Sequence, residues 1–118
     1  MGRAVFVRAA EVQVRLTGLT ALAALRRELR IPIRAIQSVS TQPVDRSGIR
    51  VRGTSIPFTD YRQGEYRRGQ RRFFFSFERR ASTITLDVSR RHWHEPFDVV
   101  VLGVDDPEEV ARAVSERQ

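Results

Sequence analysis

The chain has 118 residues, no cysteine, 41% apolar and 30% charged residues, and a formal charge of +7. These values describe one ordinary globular domain able to bury a core, and they exclude disulfides, thiolate metal sites and cysteine nucleophiles. No apolar run approaches the roughly 20 residues of a membrane-spanning helix. Met1-Gly2-Arg3-Ala4 lacks the apolar stretch of a secretory leader. The expected location is therefore the cytoplasm, with peripheral membrane attachment as the variant that the charge suggests.

Every basic residue is an arginine. A GC-rich genome alone favours arginine codons over lysine codons, so distribution says more than total. Residues 46–91 hold twelve arginines against Asp60, Glu65, Glu78 and Asp87. The positive charge thus belongs to one region.

Val5–Arg8 and Glu11–Leu16 alternate and are β-branched around Ala9-Ala10, which predicts a hairpin or one bent strand with Val12, Val14 and Leu16 inward. Leu19, Leu22, Leu25 and Leu29, with Ala21, Ala23 and Ala24, then recur at helical spacing. They predict a helix over about 18–29, with Thr17 as N-cap and Pro32 as its stop. Ile31–Val39 reads as a strand, a tight turn and a second strand to about Thr41. Residues 42–57, with two prolines and two glycines, read as a long loop with a short strand at Ile49–Arg52. Tyr61–Arg68 follows as a strand with Gly64 as a bulge.

Arg71–Glu78 and Thr83–Val88 both alternate and predict a hairpin turning at Arg80-Ala81. In that register Phe77 faces Ile84, Phe75 faces Leu86 and Phe73 faces Val88, leaving Phe74 on an otherwise polar outer face. Phe97–Val104 is a near-continuous apolar run, as in a strand buried on both faces. Asp106-Pro107-Glu108-Glu109 supplies an N-cap, a first-position proline and first-turn acids for a helix over about 107–117, whose inner face is Val110, Ala113, Val114 and Arg117.

Six or seven antiparallel strands closed by a terminal amphipathic helix meet the requirements of a pleckstrin-homology-like (PH-like) barrel or sandwich over residues 1–118, as a single domain. Ile31-Pro32-Ile33-Arg34-Ala35-Ile36-Gln37-Ser38-Val39, Leu16-Thr17-Gly18-Leu19, Gly53-Thr54-Ser55-Ile56-Pro57 and the segment from Phe97-Asp98 to Asp105-Asp106-Pro107-Glu108 resemble landmarks of bacterial PH-like domains, in an uncharacterised actinobacterial group. The resemblance implies a binding platform for anionic lipid heads, peptides or self-assembly. It does not bring the eukaryotic phosphoinositide pocket, because the loop that would carry it is here only Ala9-Ala10.

Arg67-Arg68, Arg71-Arg72 and Arg90-Arg91 are expected at the hairpin end away from its turn, with Arg79-Arg80 at the turn itself. The first three pairs form a candidate anion site, since guanidinium forks suit phosphate and carboxylate. The plain alternative is a solvated surface. His92-Trp93-His94-Glu95 has a metal-like spacing, but no third histidine exists and two arginines precede it. Trp93 is expected to cover an opening of the barrel, with an interface or base-stacking role as the alternative, and Phe74 marks a candidate interface.

No nucleophile elbow or P-loop lysine is present, and the carboxylate pairs 105–106 and 108–109 are explained by a helix start. The sequence therefore predicts no enzyme, cofactor, metal or small-molecule substrate. It predicts an interaction or assembly module that binds a protein or itself around Phe74. The competing reading is an arginine surface in 67–91 that binds acidic phospholipid or nucleic acid.

Overall fold

The computed structural model describes residues 2–45 and 48–118. Nine strands and two helices follow in the order β1 (Arg3–Val7), β2 (Glu11–Leu16), α1 (Gly18–Ala24), β3 (Glu28–Pro32), β4 (Ile36–Ser40), β5 (Ile49–Ser55), β6 (Arg62–Arg68), β7 (Arg71–Phe77), β8 (Thr83–Val88), β9 (Val99–Gly103) and α2 (Pro107–Ser115). The fold is mainly β, as expected, but it has more strands than the six or seven read from sequence. They form two open sheets rather than a closed barrel: three strands in the order β1-β2-β3, and six in the order β4-β8-β9-β7-β6-β5.

The three-stranded sheet is an antiparallel meander in which Val12 lies opposite Ile31 and Val14 opposite Leu29. All four are buried, with Leu16, as the alternation predicted. They pack with Phe74, Ile84, Leu86, Val100 and Leu102 of the larger sheet to make the main core, to which α2 adds Val114. The start of α2 forms as its sequence requires: Asp106 accepts a hydrogen bond from the Glu109 amide, and Pro107 leads the first turn. Arg3 clasps the two sheets together. It donates to the Gly103 carbonyl at 2.6 Å, to Ser76 Oγ at 2.8 Å and to Glu78 Oε1 at 2.6 Å.

The expected pairing of β7 with β8 does not occur. Strand β9 lies between them, parallel to β7 and antiparallel to β8, so Phe73 sits beside Val99 and Phe75 beside Val101. The parallel pair also departs from the all-antiparallel expectation. Every residue of β9 is buried, which its unbroken apolar run anticipated. Because both faces of the sheet are covered, neighbours in β7 enter different cores. Phe73, Phe75 and Phe77 join Tyr66, Val99 and Val101 in a smaller second core, whereas Phe74 points into the main one.

Two further expectations fail in the first half. The helix read over 18–29 ends at Ala24, and Leu29 is a buried residue of β3. Thr17 occupies the N-cap position without a side-chain cap bond. Ala24 is the buried residue of α1, so Leu19, Leu22 and Leu25 face outward. The loop read over 42–57 contains the seven-residue β5, whose register with β6 shifts between Arg50 and Arg52. The irregularity expected at Gly64 is instead a close strand crossing, where Gly64 lies opposite Gly53.

Candidate binding surface

The structure gathers the arginines at the sheet end where the sequence placed them, but it interleaves acids. Arg67 lies opposite Arg72, and Arg68 opposite Arg71, across β6 and β7. Arg72 forms an ion pair with Glu65, Arg71 pairs with Asp87 at 3.2 Å, and Arg90 approaches Asp98 at 3.8 Å. Asp98 also accepts from the Arg72 amide at 2.9 Å, which brings the 71–72 and 90–91 segments together. Arg68 donates to the Asp45 carbonyl at 2.6 Å and stacks on the Phe73 ring with its guanidinium carbon 4.8 Å from the centroid. A guanidinium already held by a carboxylate offers less to an external anion. Arg67 and Arg91 are exposed and have no carboxylate partner among the described residues.

Other cations stand freer. Arg50 and Arg52 on β5 are exposed and, among the described residues, have no carboxylate partner; Arg50 reaches only Ser55 Oγ at 3.4 Å. Arg67 on β6 lies opposite Ile49 and Arg52 opposite Glu65, so Arg52 and Arg67 share one face of the β5–β6 hairpin, whereas Arg50, opposite Tyr66, is on the other. Arg27, just after α1, and Arg79, before β8, are exposed and likewise lack a carboxylate partner among the described residues.

Phe74 is 1% exposed. Its ring lies 5.5 Å from that of Phe97, within the main core. The interface expected around Phe74 is therefore corrected: this side chain is a packing residue and presents nothing to a partner. Trp93 is buried as well. Its indole Nε1 donates to the Arg30 carbonyl at 2.7 Å and its ring packs on Phe97 at 6.0 Å. That geometry fits a residue covering the end of the core, not one stacking on a base. His94 is exposed and sits 3.6 Å from Glu95, whose carboxylate pairs with Arg26. Among the described residues no three His, Cys, Asp or Glu side chains converge as metal ligands would.

Sequence reasoning missed an apolar surface. Among the described residues eight large apolar side chains are exposed, and seven of them lie on α1 with its C-cap or on β5 with its following loop: Leu19, Leu22, Leu25, Ile49, Val51, Ile56 and Phe58. These segments touch, since Thr54 Oγ1 donates to the Ala23 carbonyl at 2.9 Å. An open groove of about 700 Å³ runs along α1 between Leu22, Leu25 and Arg27. The only signal for this in the sequence was Ile56, within the segment read as loop, and Phe58, just beyond it. No helix among the described residues is long and apolar enough to cross a membrane.

No family model, curated protein or solved structure matches the chain.

Proposed function

We propose that this chain is a non-enzymatic, PH-like binding module that attaches peripherally to acidic phospholipid. The observation that carries the reading is the β5–β6 hairpin, where Arg52 and Arg67 on one face and Arg50 on the other are exposed without carboxylate partners among the described residues. Ion pairs engage Arg71, Arg72 and Arg90 of the surface expected over 67–91, so its anion-facing part narrows to Arg67 and extends to Arg50 and Arg52 of β5. Each such arginine adds attraction to an anionic leaflet that decays within a Debye length. The assembly reading loses its supporting residue with the burial of Phe74. Nucleic acid is the less favoured polyanion. The side chains exposed beside these arginines are mostly aliphatic, whereas single-strand binders present aromatic stacking platforms.

The test is co-sedimentation with phosphatidylglycerol vesicles at about 50 and about 300 mM salt, beside phosphatidylcholine vesicles, with short duplex DNA as competitor. Salt-sensitive binding to the acidic vesicles alone supports the proposal. Absence of binding at low salt overturns it, and so does tighter binding of the duplex.

A further inference from the structure

The geometry points to the outer face of α1 and the β5–β6 connection as the part of the molecule that enters the bilayer, with Leu25 and Phe58 as its apolar anchors. This inference rests on the proposal above and adds where and how the lipid is met.

Two independent observations converge on these residues. The first is exposure: Leu19, Leu22 and Leu25 present 82%, 69% and 57% of their surface, and Phe58 is fully exposed. Single exposed apolar residues are ordinary, but clustering on two touching segments is not. The second is backbone conformation. Among the described residues only two other than glycine have positive φ, Leu25 at 58° and Phe58 at 64°. A bulky L-residue in this region is strained, and glycine would occupy it more cheaply. The fold thus holds two strained positions, and at both the side chain is apolar and faces solvent. The Phe58 ring packs on nothing and more than half of Leu25 faces solvent, so what these side chains supply lies largely outside the folded chain.

Charge identifies the occupant. Arg27 follows Leu25 by two residues. Arg79 is placed by its neighbour Arg80, whose amide donates to Asp60 at 3.2 Å in the β5–β6 connection. Both are exposed and lack carboxylate partners among the described residues. Apolar side chains bordered by free guanidiniums match the acyl boundary and anionic headgroups of a leaflet, at the shallow depth reached by interfacial segments. A second copy of this chain fits worse. It would bring the same arginines together, where like charges repel.

The test uses the full chain carrying Leu25→Gly and Phe58→Gly together. Glycine suits both backbone positions, so the melting temperature should hold or rise. The phosphatidylglycerol concentration for half-maximal sedimentation should rise about tenfold or more, since shallow binding scales with inserted apolar area. Phe58→Leu, which keeps an apolar side chain, should retain most of the binding. If the double glycine variant binds acidic vesicles as the parent does, the inference is wrong while the proposed function stands. If the parent itself does not bind them, both fall. If the double variant instead abolishes a parent oligomer seen by sedimentation velocity, the face is a contact between copies and the inference is overturned.

Discussion

Gly53 and Gly64 face each other across β5 and β6, both at φ 123°, with no room for a side chain on either. A Cβ on Gly53 would lie 2.8 Å from Gly64 Cα, and one on Gly64 would lie 2.7 Å from Gly53 Cα, each also colliding with a backbone carbonyl. This close approach lies in the hairpin that carries Arg50, Arg52 and Arg67. Gly64→Ala combines a forbidden φ with a clash against rigid backbone, and should cost about 2–4 kcal/mol. Urea denaturation measures this. A change under 0.5 kcal/mol or so, the range of neutral surface substitutions, would mean the strands can part without consequence.

Phe74 and Phe58 should respond in opposite ways to truncation. Phe74→Ala opens a cavity in the main core and is expected to cost about 3–5 kcal/mol. Phe58→Gly removes an exposed ring from a strained backbone and should be neutral or stabilising. Thermal melts of the two variants, run side by side, check the assignment. A stable Phe74→Ala protein would contradict its place in the core.

Charge removal should separate the two groups of arginines. Replacing Arg50, Arg52 and Arg67 by Gln is expected to weaken binding to acidic vesicles and to flatten its salt dependence, with little change in stability. Replacing Arg72 leaves the largely buried Glu65 carboxylate without its partner, so Arg72→Gln should lower stability by about 1–3 kcal/mol. Equal loss of lipid binding in both variants would show that the ion-paired arginines also face the membrane.

Glu78 gives the fold an acid sensitivity. Burial alone would raise its pKa, but the hydrogen bond and charge of Arg3, with Gln63 donating at 2.9 Å, bring it below the ordinary carboxylate value. A carboxylate depressed in the folded state adds stability above its unfolded pKa, and that contribution disappears as pH falls through the folded value. Its side chain is half exposed, which limits the contribution to roughly 1 kcal/mol. Urea midpoints of the parent and of Glu78→Gln should therefore differ at pH 7 and converge below about pH 4. Parallel curves over that range would remove Glu78 from the account.

The parts of the fold that were legible in sequence were those decided locally. Asp106-Pro107-Glu108 states a helix start in consecutive residues, and the alternation of Val12, Val14 and Leu16 requires one covered face. Strand partners are not written in a strand's own period. The alternation of β7 and β8 fits a hairpin as well as it fits two strands separated by β9, and only the unbroken apolarity of β9 hinted that it needed neighbours on both sides. Phe74 was misplaced for the same reason, because alternation assumes that one face is wet and this sheet is covered on both. The candidate surface was half legible. Arginine positions could be counted, but their ion partners come from distant strands, as Arg71 and Asp87 do. Leucines at 19, 22 and 25 have the spacing of a buried stripe, and nothing in that spacing shows that the short α1 turns Ala21 and Ala24 to the core and leaves the leucines outside.

The placement of β9 sets an order on how the molecule comes to be. In the larger sheet, β4 and β8 stand on one side and β7, β6 and β5 on the other, and β9 is the only strand joining them. It is also the last of the nine strands in chain order. The five other strands of this sheet must therefore wait, with the inner edges of β7 and β8 unpaired and their phenylalanines and aliphatics uncovered, until one five-residue segment arrives and closes both gaps at once. Assembly of this sheet is a late, long-range and cooperative event, and a nascent chain stalled before residue 99 presents two open β-edges to its neighbours.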